Sequence, residues 1–390
     1  MRYYVGLDVS DTSTNICVVN ESGTITHEMV TRTNPDAILS SLNKINSPIE
    51  KVGMETGAKS NWLHLALSSH CKVICYDACK MSKLISMKIN KTDRNDARVI
   101  AEVVRVDCLT RVLNLEVYVK TPHSQEIITL VRARESTSQR LIQIYNQVRG
   151  VYKTHGHELP ITKPENFTQR VLESLKKLPP LVALSVQGLI LPYDSTLRAL
   201  SQMTQKIEEL AKQNANAQRL MTIPEIGPIT SLYFAAIIDD PKRFLKARSS
   251  GSYFGLTPLQ YSSGQQERQW AISKRGDPLM RKLLAGVSQR LLRTMAKTNA
   301  LKKWGQKKEK KLGKGKAVVA LARHLSVIML AMLMRESLYK EPDSHPPQRG
   351  VVFTKEELDR VTKLVQETGT IELKSIKQLK KLAHMTKAKI

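Results

Sequence analysis

Three short segments of alternating apolar and polar residues, 2–9, 14–20 and 24–31, open the chain, separated by Ser, Asp and Thr and by the turn Asn20-Glu21-Ser22-Gly23. Alternation of this kind, broken by turn formers, is the mark of antiparallel hairpins. The period then changes. Pro35 to Leu42 reads as an amphipathic helix, Lys51 to Glu55 as a strand, Asn61 to Ser69 as a helix and Cys71 to Tyr76 as a strand. From Asp93 the run DARVIAEVVRV has helical spacing, with Asp93 or Asn95 placed to cap it. Three hairpin strands followed by αβαβα confine this part of the chain to an α/β sheet.

Four acids fall at the ends of these elements. Asp8 follows YYVGL, Glu55 follows KVGM, and Asp93 and Asp96 stand three apart, on one face of their helix. Carboxylates are the oxygen donors that hard divalent cations take, and two such cations about 4 Å apart can activate a nucleophile and neutralise a leaving oxygen in phosphodiester cleavage. Singly, each acid has an ordinary role as turn former, helix cap or surface charge. Jointly they follow the order in which an RNase H-like fold presents its metal ligands.

The charge balance narrows the partner. The 390 residues include 61 Lys plus Arg against 35 Asp plus Glu, a net charge of +26. Such a surplus favours nucleic acid over an acidic protein or a membrane surface. It is uneven: residues 1–150 carry 19 basic and 15 acidic side chains, 151–300 carry 21 and 11, and 301–390 carry 21 and 9. Most of the basic surface therefore belongs beyond the first domain. No run reaches the roughly 18 uninterrupted apolar residues of a membrane span and no signal-peptide pattern opens the chain, so a cytoplasmic protein without a membrane partner is expected. Cys17, Cys71, Cys75, Cys79 and Cys108 are odd in number and lie in apolar or strand-like contexts. Buried thiols are expected, because the spacing of His70, Cys71, Cys75 and Cys79 lacks paired zinc knuckles.

Beyond the sheet the pattern turns helical. Residues 124–149 and 168–217 carry long helical patterns around a loop from Thr154 to Phe167. An extended coiled-coil arm and a plain bundle both fit their imperfect heptads. LMTIPEIGPITSLYFAAII reads as helix, tight turn and helix. It is either a helix-hairpin-helix gripping a backbone phosphate near Gly227 or a simple helical corner. Residues 302–316 hold eight lysines around Trp304. They read as a loop held against the domain, offering Lys307, Lys308, Lys314 and Lys316 to phosphates. After the break EPDSHPPQRG, the tail reads as basic and helical. The expected divisions are 1–122, 123–217, 218–340 and 341–390.

The motifs GLDVS, METG and KTDRNDA, followed by IPEIGPITS, FGLTPLQYSSG and ISKRGDPLMRKLL, resemble the DEDD transposases of the IS-one-ten insertion-sequence family, over roughly residues 1–335. The resemblance implies an RNase H-like (RuvC-like) N-terminal nuclease domain, a helical or coiled-coil linker and a mainly helical C-terminal transposase domain. It implies a bacterial, nucleoid-associated recombinase that excises and inserts its element in donor and target DNA, guided by an RNA that the element encodes. The family's acids fall on Asp8, Glu55, Asp93 and Asp96, with Mg2+ or Mn2+ as cofactor. Its nucleophilic serine falls on Ser263, next to Gly264, although Ser262 is an equal chemical candidate on sequence alone. Attack by serine stores the phosphodiester bond energy in a phosphoserine, so rejoining needs no ATP. Arg268, Lys274 and Arg275 lie near enough in sequence to neutralise the phosphate in the transition state. Exchange between two duplexes implies a homo-oligomer, at least a dimer and up to a tetramer.

Two other readings fit the residues: a RuvC-like metal-dependent nuclease or junction resolvase with no covalent intermediate, and a non-catalytic nucleic-acid-binding protein with structural acids.

Overall fold

The computed structural model describes residues 2–86, 92–110, 115–263, 266–293 and 299–341, with the backbone alone at 261–263 and 266–269. β1 (Tyr3–Val9), β2 (Ser13–Val19) and β3 (Ile25–Arg32) form the antiparallel meander expected from the alternation. After α1 (Pro35–Leu42), β4 (Ile49–Glu55) lies parallel to β1, and after α2 (Ser60–Leu67), β5 (Val73–Tyr76) lies parallel to β4. The strand order β3-β2-β1-β4-β5, completed by α3 (Ala78–Ile85) and α4 (Asp93–Thr110), is an RNase H-like arrangement.

The strand period of two sorts the core into two layers. Val5, Leu7, Val52 and Met54 pack with Ile38 and Leu42 of α1 and Leu63 and Leu67 of α2. Tyr4, Cys17, Ile74 and Tyr76 pack with Ala97, Ile100, Ala101 and Val104 of α4 on the other face. Each fully buried large apolar side chain contributes about 1.5–3 kcal/mol relative to exposure. At Gly6 the backbone of α4 comes so close that a Cβ would stand 2.3 Å from both Ala97 O and Ala101 N. α4 is capped by Thr92 rather than by Asp93 or Asn95: Thr92 Oγ1 accepts from Asn95 N at 3.3 Å and its carbonyl accepts from Asp96 N at 2.9 Å.

The chain divides into two compact units, one ending at Leu130 and the other beginning at Val131. α5 (Pro122–Thr154) carries the chain across this point. The single long pattern over 168–217 resolves into α6 (Phe167–Ser174), α7 (Pro180–Ile190) and α8 (Tyr193–Gln213). Pro179, Pro180 and Pro192 interrupt it, because proline removes an amide donor and disfavours helix in the residue before it. Leu141, Val148 and Tyr152 of α5 share a core with Phe167, Val171, Val186, Ile190 and Tyr193. The Phe167 ring lies 4.9 Å from that of Tyr145 and 4.8 Å from that of Tyr193. This is a small helical bundle, the second of the two forms the heptads allow.

The chain continues with α9 (Ala215–Met221), α10 (Pro228–Ile238), α11 (Ser249–Tyr253), the hairpin β6 (Pro258–Ser263) and β7 (Gln266–Ile272), α12 (Pro278–Arg293), α13 (Ala300–Leu312) and α14 (Lys314–Arg335). Among the described residues α14 is the one helix long and apolar enough to cross a membrane. Ala317, Leu321, Leu325 and Met329 are nevertheless fully buried within the protein, and Arg323 and His324 interrupt its apolar run, as befits a core element. The lysine-rich run at 302–316 is not the expected loop. Lysine has near-alanine helix propensity, Asn299 Oδ1 caps the Lys302 amide at 2.7 Å, and Leu301 and Gly305 are buried, so most of the run forms α13.

Candidate active site and nucleic-acid-binding elements

The register of β1 and β4 pairs Leu7 with Met54, so Asp8 and Glu55 end neighbouring parallel strands side by side. Leu7 and Met54 face α1 and α2. By the two-residue period, the two acids lie on the opposite face, the one that α4 crosses. Both are half-buried and both line a cavity of about 310 Å3, together with Ser10, Asp11, Thr56 and Lys59. The Oε1 atom of Glu55 is fully buried. Lys59 Nζ donates to the Asp11 carbonyl and stands 4.0 Å from its carboxylate, tying the β4–α2 loop to the β1–β2 turn.

Glu28 on β3 anchors the first turn of α4. Its carboxylate accepts from Arg98 Nε at 2.6 Å and from Arg94 Nε at 3.0 Å. These hydrogen bonds, that of Arg98 foremost, hold its carboxyl at about 2, below the usual range. Asp93 is exposed and Asp96 half-buried on that turn. The structure thus brings Asp8 and Glu55 into one cavity and places Asp93 and Asp96 on the helix over the same sheet face, outside the residues lining it. Among the described residues no three acidic, His or Cys side chains converge as a ligand set. The donor chemistry at Asp8 and Glu55 suits Mg2+ or Mn2+, which take carboxylate and water oxygens. The cysteines are free thiols, and burial pushes that of Cys75 up to about 12.

Ser263 ends β6, opposite Gln266 of β7. Gly264 and Gln265, and the side chains of Ser262, Ser263 and Arg268, lie outside the described residues. The base of the hairpin explains two of the sequence motifs. Gly255 has φ +66, and a Cβ there would meet Arg275 O at 2.0 Å; Gly276 has φ +95, with Tyr253 O at 2.1 Å. Lys274 N donates to Gly255 O at 3.1 Å, and Ser273 N to Thr257 O at 2.9 Å. The FGLTP and SKRGDP segments are therefore locked backbone to backbone. Gly255→Ala is expected to destabilise the protein by about 3 kcal/mol or more, because the added Cβ meets backbone, whereas Gly313→Ala carries backbone strain alone, about 1–3 kcal/mol. Gly313 shares the positive φ, +79, but has open space around it. Urea unfolding of both variants checks the contrast.

Asp277, next in the same motif, accepts from Arg132 Nη2 at 2.7 Å and from the buried Tyr233 hydroxyl at 2.9 Å, and it caps Met280 N at 2.7 Å. Glu225 occupies the left-handed position of the helix–turn–helix, φ +66, held by Arg290 Nε at 3.2 Å from its carboxylate. Gly227 is the N-cap of α10. Lys274, Arg275, Lys307, Lys314 and Lys316 are exposed, and Lys308 is half-buried with Nζ 5.3 Å from the Trp304 ring centroid. Sequence reasoning missed Lys59, Glu28 and the Arg132–Tyr233–Asp277 network. Only the strand order and the helix packing bring these residues to their partners.

Comparison with known proteins gives two family matches. Residues 5–155 match a family described as transposase, of the DEDD IS110 type, and residues 217–303 match the transposase IS116/IS110/IS902 family. The chain is 29% identical over 258 residues to the transposase for insertion sequence element IS1111A of Coxiella burnetii, covering 65% of this chain and 70% of that one. It is 28% identical over 198 residues to the transposase for insertion sequence element IS1328 of Yersinia enterocolitica, covering 51% of this chain and 58% of that one.

Proposed function

Because the two matches fall in one family and together span more than half of its length, the chain belongs to the IS110-type DEDD transposases, and from that premise we propose that it cuts and rejoins DNA to excise and insert its own insertion sequence through a phosphoserine intermediate. The observation that carries this reading is the pairing of Asp8 and Glu55 at the ends of adjacent parallel strands on one cavity. In a chain of net charge +26, a pocket of negative charge suits a cation that meets phosphate.

Asp8 and Glu55, joined by Asp93 and Asp96 from the first turn of α4, would hold Mg2+ or Mn2+. The bound cation supplies charge neutralisation at the phosphate and at the leaving oxygen. Ser263 Oγ loses its proton to a neighbouring base and bonds to phosphorus, and the P–O bond to the sugar breaks. The released sugar oxygen takes up a proton. A hydroxyl of another strand then attacks phosphorus, the P–Oγ bond breaks, and serine is regenerated with the strands exchanged. Arg268, Lys274 and Arg275 offer positive charge to the phosphate as its oxygens gather charge.

In this reading residues 1–122 form the nuclease domain, 123–217 the arm, 218–340 the serine-bearing domain and 341–390 a basic tail. Gly227 and Lys307, Lys308, Lys314 and Lys316 give sequence-independent grip on backbones, which leaves target choice to an element-encoded guide RNA. Two duplexes exchanging strands call for at least two protomers. The place of action is the bacterial cytoplasm, at the nucleoid.

A donor DNA whose cleaved strand end is released and lost tests the reading. Incubated with protein and Mg2+, it is expected to yield a denaturation-resistant protein–DNA adduct whose linked peptide contains Ser263. Cleavage to free ends without adduct would replace this mechanism with hydrolysis by activated water.

A further inference from the structure

A second cavity, of about 370 Å3, lies between α13, α14 and the segment that follows α14. It is within the range of about 300–1,000 Å3 typical of small-ligand sites. Leu301, Ile328, Met332 and Leu338 give it apolar walls, and the Trp304 indole lies stacked on His324, 4.4 Å apart and 10° from parallel. The segment closing it is pinned at three points. Tyr339 N donates to Thr222 Oγ1 at 2.9 Å, Glu336 pairs with Arg219 at 3.5 Å, and Glu341 accepts from Ala300 N at 2.6 Å. The cavity is therefore preformed.

Its charged and aromatic surroundings set it apart from an ordinary packing gap. Tyr339 lines it as well, with its hydroxyl buried behind the wall and without a hydrogen-bond partner among the described residues. Leaving such a group unmatched costs about 1–3 kcal/mol. Around the opening stand Arg335 and Lys340, with Lys308 over the Trp304 ring. Burial, with Lys308 nearby, also keeps His324 below its ordinary range, so the ring stack is uncharged near neutrality.

We propose that this cavity receives one unpaired nucleobase of a single strand held along α13. Apolar walls and aromatic rings suit the faces of a base, and the cations around it suit the flanking phosphates. An acidic peptide would use the cations and leave the aromatic lining without a role. The proposal rests on the nucleic-acid reading above but not on its chemistry. A chain that formed no serine adduct and still preferred base-bearing strands would overturn the catalytic reading alone.

The test is fluorescence anisotropy with the full chain and short single-stranded DNA and RNA oligonucleotides, each paired with an abasic version. The parent is expected to bind base-bearing strands more tightly than abasic ones. Trp304→Leu is expected to lose about 5- to 150-fold for base-bearing strands, with abasic binding unchanged. Trp304→Tyr, which keeps an aromatic face, is expected to recover most of the loss. The arm that shows base dependence identifies the strand as DNA or RNA. Equal binding of abasic and base-bearing strands by the parent in both arms, or an equal loss for both in Trp304→Leu, would overturn the proposal.

Discussion

Asp8→Asn and Glu55→Gln are each expected to lower strand cleavage at least about a thousandfold, while DNA binding at low salt stays close to that of the parent. A thousandfold corresponds to about 4 kcal/mol of transition-state stabilisation, within reach of the several kcal/mol that a bound metal supplies at a phosphoryl centre. Both substitutions keep shape and remove one negative charge from a cavity where the two carboxylates stand on neighbouring strands. Binding should persist, because it draws on a basic surplus of 26 charges, most of it beyond residue 150. Thermal unfolding supplies a readout independent of activity. Mg2+ or Mn2+ is expected to raise the melting temperature of the parent but not of the variants. Without metal, each variant is expected to match or exceed the parent, since two like charges in one half-buried cavity repel. Asp11→Asn is the control, as Asp11 faces Lys59 in the turn. Variants of Asp8 and Glu55 that rearrange DNA as well as the parent would make the acids structural and sink the metal-site reading.

Asp8 and Glu55 were legible because a strand has a two-residue period and a buried strand tolerates a carboxylate only where it ends. The runs YYVGL and KVGM place each acid at that point, and the structure pairs the strands in parallel to within one residue. Asp93 and Asp96 were legible as a helical pair, but their path to the sheet depends on Glu28 gripping Arg94 and Arg98 across 66 and 70 residues of chain. No local pattern encodes that contact. α3 escaped notice because it is short and buries only Met81. The lysine run of α13 was read as a held loop because its charge density masks any helical period, while one asparagine cap and two buried residues suffice for a helix. The cavity at Trp304 and His324 is invisible in sequence: its two rings lie 20 residues apart on different helices. The glycines of FGLTP and SKRGDP could be marked as motifs, yet their mutual approach, 2.0 Å for an added Cβ, emerges only from tertiary structure.

Ser263→Ala is expected to abolish both the covalent adduct and strand exchange, a loss of about four orders of magnitude or more, as removal of a nucleophile does elsewhere. The variant should fold, since the hairpin is set by the backbone ladder from Pro258 paired with Ile272 to Ser263 paired with Gln266, and by the glycine clamp at its base. Unchanged circular dichroism and unchanged DNA affinity would establish that the loss is chemical. Ser262→Ala separates the two serines that the sequence leaves equal. An in-line displacement tolerates little misplacement, about 1 Å costing a hundredfold. A residue one step along a strand is displaced by about 3.4 Å. Ser262→Ala is therefore expected to stay within about tenfold of the parent, and an intact Ser262 should not rescue Ser263→Ala. A Ser263→Ala protein that exchanges strands at the parental rate would remove the covalent step. Cleavage would then have to come from water activated at the acids, and the energy for rejoining would need another source.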